Sequence, residues 1–292
     1  DLMQLLIKSS LKTQEFARVK EEGQGSGKKA LVIGGAGRMG GWFAEFLMIQ
    51  GYSVDIADPN ATDSSSKNFL SWEETEDDYT ITLVAAPLRQ SIEILQGMLR
   101  SNRQGIIFDI ASIKSPIQNI LKDMADQGMR VTSIHPMFGP DSDLLTGKQI
   151  IFMDIDQRDS QQTVKKLFES TTAQLIEMSI ENHDYAISYV LGLSHIINIA
   201  FAKVLASSEE ERGTLPELSS TTFKDQLNVA KRVTDENPHL YYEIQHLNEH
   251  SLKTIQELNT AISDITEAIT QGREEEFVAM MKKGKSYFIN DE

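Results

Sequence analysis

The sequence predicts an α/β fold, in which a Rossmann-like, doubly wound domain is followed by an all-helical domain. In the first half of the chain, short apolar runs alternate with amphipathic stretches, as in a mostly parallel sheet covered on both faces. A glycine-rich turn links the first apolar run to the stretch that follows it. Beyond about residue 180 the short runs stop, and apolar residues recur with a helical period.

These patterns divide the chain into three segments. Residues 1–27 are expected to form a helix and a glycine-rich linker, residues 28–180 the α/β domain, and residues 181–292 the helical domain. Seven strands are expected, over residues 30–33, 53–57, 80–85, 105–110, 130–134, 149–153 and 174–178. Helices are expected over residues 39–50, 90–100, 115–127, 160–171, 181–206, 215–236, 238–271 and 273–286.

The composition excludes several classes of protein. The formal net charge of the 292 residues is −15, so the surface repels nucleic acid and anionic membranes, both of which require a basic footprint. The chain has no cysteine, which excludes disulfides, thiolate zinc sites and a cysteine nucleophile, and this agrees with a cytoplasmic location. No metal-ligand cluster is evident, and no apolar run is expected to span a membrane.

The glycine-rich turn has the spacing of a dinucleotide-binding loop. Gly35, Gly37 and Gly40 form the pattern G-x-G-x-x-G between an apolar strand and a helix. We expect Gly35 to permit the tight turn, Gly37 to let backbone approach a pyrophosphate, and Gly40 to let the helix pack closely. The free N–H groups of the helix start favour phosphate binding. The cofactor-binding residues expected here are Gly35, Ala36, Gly37, Arg38, Met39 and Gly40.

Asp58 and Pro87 extend this predicted cofactor site. Asp58 ends the second strand, 18 residues beyond Gly40, where an acid is expected to accept hydrogen bonds from the ribose hydroxyls. Its charge repels a 2′-phosphate, and no arginine follows it directly, so NAD is favoured over NADP. The alternative is a turn residue at the end of a strand. Pro87 ends the third strand and either shapes the loop near the nicotinamide ribose or only terminates the strand.

His135 is the strongest candidate for acid–base chemistry. It follows the fifth strand on a loop stiffened by two prolines, at the edge of the sheet where ligands of doubly wound domains bind. A histidine there is suited to accept a proton from a hydroxyl while hydride leaves the same carbon. The alternative is a loop histidine that caps a backbone group.

Two sequence motifs resemble those of the prephenate dehydrogenase family. They are His-Pro-Met-Phe-Gly-Pro from His135 and Asp-Ile-Ala-Ser-Ile-Lys from Asp109, and Glu-Asn-His-Asp from Glu181 agrees with them. The resemblance covers roughly residues 28–290 and is greatest to the enterobacterial type, which carries a chorismate mutase domain upstream. Residues 1–10 resemble the end of the last helix of that mutase domain, the alternative being an unrelated helix.

The resemblance implies roles for five residues. His135 matches the catalytic histidine that hydrogen-bonds the ring hydroxyl of the substrate, and Ser112 matches the serine that orients it. Lys114 is expected to hold the loop or bind a carboxylate. His195 matches a second histidine of the site, the alternative being a packed core residue, and Arg232 matches an arginine that binds the substrate carboxylate.

Lys224 stands where the family pattern has an arginine, and lysine keeps the charge but loses the bidentate fork. At about 100° per residue, Lys224, Asn228, Lys231 and Arg232 share one third of the helix circumference. We predict that this cationic stripe receives a carboxylate. The alternative is the solvated basic face of an ordinary amphipathic helix.

The family resemblance implies NAD-dependent oxidative decarboxylation of prephenate to 4-hydroxyphenylpyruvate on the route to tyrosine. It further implies a homodimer built through the helical domains, substrate bound at the domain junction and feedback inhibition by tyrosine. Three alternatives remain: an arogenate dehydrogenase, a β-hydroxyacid dehydrogenase with a catalytic lysine in the helical domain, or an NAD-binding module without turnover.

Overall fold

A computed structural model describes residues 2–61, 66–76, 78–142, 144–208 and 214–289. Asp1 of the predicted N-terminal helix lies outside these ranges. The chain divides into two compact units, residues 1–184 and residues 185–292, and each is described by itself.

The first unit is built on an eight-stranded sheet in the order β3-β2-β1-β4-β5-β6-β7-β8. All neighbouring strands run parallel except β6 and β7, which pair antiparallel with His135 opposite Ile151. The strands are β1 (Lys29–Ile33), β2 (Ser53–Ala57), β3 (Lys67–Phe69), β4 (Ile81–Val84), β5 (Ile106–Asp109), β6 (Arg130–Pro136), β7 (Gln149–Asp154) and β8 (Gln174–Ser179).

The predicted doubly wound fold and all seven predicted strands are confirmed. The sequence analysis missed β3, because this three-residue edge strand begins with two exposed polar residues and shows no apolar period. A single-turn 3-10 helix, Trp72–Glu74, follows it. The α-helices of this unit are α1 (Leu2–Glu21), α2 (Arg38–Ile49), α3 (Leu88–Ser101), α4 (Gln118–Asp126) and α5 (Arg158–Glu169), and the start of α6 (Ile180–Ile187).

An aromatic cluster forms the core between the sheet and its covering helices. The Phe168 ring on α5 stacks on Phe46 at 5.2 Å and meets Phe43 and Phe152 edge-on at 6.3 and 6.2 Å. Phe43, Phe152 and Phe168 are fully buried. Aromatic pairs in these geometries stabilise a core beyond the effect of buried area alone. The cluster therefore fixes α2 and α5 against the sheet on whose edge the candidate site lies.

The second unit contains helices only among its described residues. After the end of α6, a π-helical segment (Ser188–Leu193) leads into α7 (Ser194–Ala206). The predicted helices over 215–236 and 238–271 are each broken in two, and the second break falls at Asn248, whose side chain accepts a hydrogen bond from the His250 N–H. The remaining helices are α8 (Thr214–Glu217), α9 (Thr221–Thr234), α10 (Pro238–Leu247), α11 (Ser251–Thr270) and α12 (Glu274–Ser286).

One helical run is longer and more apolar than the sequence analysis expected. The helical run Ile180–Ala206 is 27 residues long, reaches a mean hydropathy of 1.6, and has only 17% of its apolar window buried within the structure. Val190 and Val204 on this run are 54% and 69% exposed. Length and composition alone are weak evidence for a span, because an apolar helix that covers a second protein chain has the same properties.

Replacing Phe168 tests the aromatic core. Phe168→Ala should destabilise the first unit by about 3–5 kcal/mol, since it removes a fully buried ring and leaves a cavity. The control Phe288→Ala removes a ring that is 80% exposed and should change stability by no more than about 0.5 kcal/mol. Both tryptophans, Trp42 and Trp72, lie in the first unit, so tryptophan fluorescence during urea unfolding reports on it alone. Equal urea midpoints for the two variants would contradict this assignment of the core.

Candidate active site

The glycine turn after β1 is held in a shape that side chains would disrupt. Gly34, rather than Gly35, carries the positive φ of +82° that the tight turn requires, so that part of the prediction is corrected. A Cβ on Gly35 would lie 2.7 Å from the Ile56 side chain, and one on Gly40 would lie 2.1 Å from the Gly34 carbonyl oxygen. At Gly35 and Gly40 the packing therefore leaves no room for a side chain.

The start of α2 and Asp58 lie beside this turn. Gly37 is the N-cap of α2 and provides no side-chain cap, so the first N–H groups of the helix remain available to an anion. Asp58 accepts hydrogen bonds from the backbone N–H of Ala36 at 3.2 Å and of Asn60 at 2.8 Å. The carboxylate is thereby fixed at the glycine turn, and this arrangement fits a dinucleotide whose phosphates meet the helix and whose ribose meets the acid. Pro87 is exposed and is the N-cap of α3.

Arg38, the first residue of α2, contacts the loop that follows His135. Its guanidinium lies 2.5 Å from the Asp141 carboxylate, and the Trp42 indole N–H donates to the Ser142 carbonyl at 3.1 Å. Met39 packs partly against the core. The cofactor-binding helix and the loop after β6 are therefore tied together within the first unit.

His135 lies near the end of β6, at the edge of the sheet where β1, β4 and β5 also end. Its side chain is almost fully buried, and its Nδ1 lies 3.0 Å from Nε2 of His183. Burial, with smaller effects from His183 and Lys114, holds the pKa of His135 well below its usual 6.5, although Asp184 opposes the shift. The imidazole is therefore neutral at pH 7 and able to accept a proton.

His183 connects His135 to a buried carboxylate. His183 Nδ1 lies 2.6 Å from Oδ1 of Asp184. The Asp184 carboxylate also accepts the backbone N–H groups of Lys114, at 2.9 and 3.0 Å, and of Ser115, at 2.6 Å, together with the Ser115 hydroxyl. Burial alone would raise the pKa of Asp184, but these hydrogen bonds lower it to about 2. Asp184 is therefore an ionised carboxylate, and its hydrogen bonds connect α6 to the loop after β5.

Lys114 does not fit the predicted role of binding a substrate carboxylate. Its ammonium has no exposed surface and donates to Asp109 Oδ1 at 2.7 Å and to the Ile134 carbonyl at 2.9 Å. Burial lowers the pKa of Lys114, and the adjacent Asp109 opposes that shift. The geometry favours the other predicted role, in which Lys114 holds the loop, because its ammonium binds the ends of β5 and β6 together.

Ser112 lies half-buried on the loop after β5 and makes no hydrogen bond to another described residue. Its predicted role in orienting His135 stays a prediction. The sequence analysis missed Ser115, His183 and Asp184 as members of the site. The signal was present in the Glu181-Asn-His-Asp184 motif, which served only as a mark of resemblance.

In the second unit, His195 stacks on Tyr241 of α10, with ring centroids 4.0 Å apart. Burial lowers the pKa of His195 to about 4, so its ring is neutral at pH 7. Its Nδ1 is buried without a hydrogen-bond partner among the described residues. The π-helical segment ends at Leu193, two residues before His195, and the Gly192 carbonyl in that segment accepts the Gln245 side-chain N–H at 2.9 Å. Such segments are often found at functional sites.

The predicted cationic stripe is present on α9. Lys224, Asn228, Lys231 and Arg232 are all exposed, whereas Ala230 on the opposite face is buried. The helix packs on α7, where Phe201 meets Phe223 at 5.9 Å and Asn198 accepts a hydrogen bond from Gln226. The ammonium and guanidinium groups of Lys224 and Arg232 have no partner among the described residues, so both remain available to an anion.

Two family models match the chain. The nucleotide-binding domain of prephenate dehydrogenase matches residues 49–177, and the dimerisation domain of prephenate dehydrogenase matches residues 179–283. Together they match most of the chain. The chain belongs to the prephenate dehydrogenase family. It therefore has a nucleotide-binding domain followed by a dimerisation domain, and the second of these supports a homodimer.

Relatives of this family are similar along most of the chain. The T-protein of Enterobacter agglomerans is 24% identical over 89% of this chain and 68% of its own length. A probable arogenate/prephenate dehydrogenase of Methanocaldococcus jannaschii is 24% identical over 88% of this chain and 60% of its own length. The chain thus spans about two-thirds or less of these relatives.

A solved structure has the same fold. The prephenate dehydrogenase of Aquifex aeolicus, in complex with hydroxyphenyl propionate and NAD+, superposes with a TM-score of 0.71 at 24% identity, covering 89% of this chain and 96% of that one. At this identity the similarity shows the fold alone.

The buried pair of Lys114 and Asp109 can be tested by removing one partner or both. Lys114→Met should destabilise the first unit by about 3–5 kcal/mol, because it leaves a buried carboxylate without its counter-ion. Adding Asp109→Asn should recover much of that loss. The control Lys122→Met breaks the exposed pair with Glu181 and should cost about 0–1 kcal/mol. Urea unfolding followed by tryptophan fluorescence measures all three. A Lys114→Met midpoint equal to that of the control would show that the buried pair does not hold the loop.

Proposed function

We propose that this protein oxidises and decarboxylates prephenate to 4-hydroxyphenylpyruvate with NAD as the hydride acceptor. The single observation that carries the proposal is His135, a neutral, buried imidazole at the carboxyl edge of the sheet that also bears the cofactor turn. Such a group is suited to take the proton of a ring hydroxyl. Membership of the family supports the reaction class, and the fused mutase of the resemblance stays a proposal.

The cofactor is proposed to be held by the glycine turn, the start of α2 and Asp58. NAD supplies the hydride acceptor when bound. The carboxylate of Asp58 favours NAD over NADP, because it accepts hydrogen bonds from ribose hydroxyls and repels a 2′-phosphate. Arg38, Met39 and Pro87 are also proposed to contact the cofactor.

The substrate carboxylates are proposed to be received by the stripe on α9. Arg232 offers a planar guanidinium that binds a carboxylate in a bidentate manner, and Lys224 offers a second positive charge. In a chain of net charge −15, these local cations are needed to bind a dianion. His195, neutral and stacked on Tyr241, is proposed to contact the substrate with its ring. After oxidation, aromatisation of the ring drives the loss of carbon dioxide.

Arogenate is the second candidate substrate. It differs from prephenate in carrying an amine where prephenate has a keto group, and the name of the Methanocaldococcus relative includes both activities. We keep prephenate as the proposal because the motifs that begin at Asp109 and His135 resemble those of prephenate dehydrogenases. Feedback inhibition by tyrosine and a cytoplasmic location remain expectations from the resemblance.

Removing the imidazole of His135 tests the reaction and its base together. His135→Asn should lower kcat with prephenate and NAD by about 10²–10⁴-fold, the usual contribution of a general base, and should leave NAD affinity unchanged. The control His246→Asn alters an exposed histidine and should retain full activity. Absorbance of the reduced nicotinamide is followed with prephenate and, in parallel, with arogenate.

Activity with arogenate alone would show that arogenate is the substrate. Full activity of His135→Asn would favour a β-hydroxyacid dehydrogenase, and NAD binding without any turnover would favour a non-catalytic module.

Changing Asp58 tests the choice of cofactor. Asp58→Asn keeps one side-chain oxygen, which can still accept from the Asn60 N–H, and it loses the longer hydrogen bond from the Ala36 N–H. The loss of a charged acceptor should weaken NAD binding by about 10-fold or more and should reduce the preference of the protein for NAD over NADP. Titration calorimetry with both cofactors measures this, with Asp126→Asn, an exposed acid on α4, as the control. An unchanged ratio of the two affinities would remove Asp58 from the cofactor site.

A further inference from the structure

We propose that His183 and Asp184 are positioning residues that present His135 to the substrate hydroxyl with its Nε2 unprotonated. The inference rests on the proposed function, since it concerns how the base of that reaction is prepared. The observation behind it is an unbroken chain of three side chains within the first unit, from the Asp184 carboxylate through the His183 ring to the His135 ring. None of the three is more than 3% exposed.

Asp184 determines which groups donate and which accept in this series of hydrogen bonds. Its oxygens accept from four donors: the N–H groups of Lys114 and Ser115, the Ser115 hydroxyl and His183 Nδ1. A protonated acid would place a proton against one of these donors. Asp184 is therefore a carboxylate, and it can only accept from His183.

The direction of the hydrogen bond to Asp184 also determines the tautomers of the two imidazoles. Because His183 Nδ1 donates to Asp184, the neutral His183 ring has its lone pair on Nε2. His135 Nδ1 lies 3.0 Å from that lone pair and must therefore carry the proton. The remaining nitrogen of His135, Nε2, is then the one atom of its ring that can accept the proton of the substrate hydroxyl. We assign both tautomers from this network of hydrogen bonds.

The same chain stabilises the proton after it has moved. In the proposed step the substrate O–H bond breaks and an N–H bond forms at His135 Nε2. The C–H bond of the hydroxyl-bearing carbon breaks as the C=O bond forms, and bound NAD would accept that hydride. His135 then carries a positive charge, with its Nδ1–H still bonded to His183. The charged groups around it are Lys114 and Asp109 on the β5 side and Asp184 on α6. Two carboxylates and one ammonium leave one negative charge in this buried cluster, which the new imidazolium offsets.

A purely structural role would look different. If His183 only anchored α6 to the loop, its loss would lower stability and leave the chemistry of His135 as it was. A positioning role instead predicts a loss in kcat, with little change in KM or NAD affinity, and a shift of the acid limb of the pH–rate profile. Removing the acceptor leaves a buried Nδ1–H of imidazolium unpaired, so the limb should shift to lower pH.

Two variants of His183 separate these roles. His183→Phe keeps a planar ring and removes the acceptor, and it should lower kcat by about 10–100-fold with the limb displaced to lower pH. His183→Gln offers a side-chain oxygen that can accept from His135 Nδ1, and it should recover most of that rate. His239→Gln on the exposed start of α10 is the control and should match the wild type. The measurement is kcat and kcat/KM against pH for the full chain, with NAD affinity as the test of folding.

The outcomes distinguish the inference from the proposed function. A wild type without turnover on prephenate or arogenate refutes the proposed function, and the inference falls with it. An active wild type whose His183→Phe variant keeps its kcat within about threefold, or keeps the same acid limb, refutes the inference alone. If His183→Phe does not fold, a His183→Gln variant with a profile displaced to higher pH refutes it as well.

Discussion

The buried carboxylate of Asp184 is the constraint on which the rest of the site depends. A carboxylate removed from water must be surrounded by donors, and removing it or its partners would cost several kcal/mol. Asp184 meets this demand with two consecutive backbone N–H groups of the loop after β5, a serine hydroxyl and an imidazole. The loop conformation, the start of α6 and the orientation of His183 are therefore specified by one side chain.

A second buried charge pair makes this arrangement rigid. Lys114 contributes its backbone N–H to Asp184 and its ammonium to Asp109 and to the Ile134 carbonyl, one residue before His135. One residue thus fixes the ends of two neighbouring strands and the loop between them. A side chain used in this way is not available to a ligand.

The fold was largely predictable because its signals are local. Apolar runs of four to six residues and the glycine turn located seven of the eight strands, and only the short, polar edge strand β3 gave no period. The tight turn was assigned to Gly35 although Gly34 has the positive φ, because spacing identifies the loop but not the dihedral of each glycine. The predicted helices over 215–236 and 238–271 were each broken in two, and at Asn248 the side chain binds the backbone N–H of His250 two residues on.

The candidate site was predictable only in part. His135 could be selected from its position at the end of a strand, and the α9 stripe from its helical spacing. For Lys114 the sequence left two roles open, since nothing in it says that the ammonium is enclosed by Asp109 and a carbonyl. The link between His135 and His183 spans 48 residues, so no local pattern contains it. Such pairings arise from the register of β5 and β6 and from the place where α6 begins.

The most direct test of this account is the tautomer of His135 in the resting protein. Nitrogen-15 NMR of histidine-labelled protein at neutral pH, with the His135→Asn variant to assign the signal, distinguishes a protonated ring nitrogen from one with a free lone pair. We expect a proton on Nδ1 of His135 and none on Nε2, and the same tautomer for His183. A His135 ring with its proton on Nε2, or one that exchanges freely between the two tautomers, would contradict it.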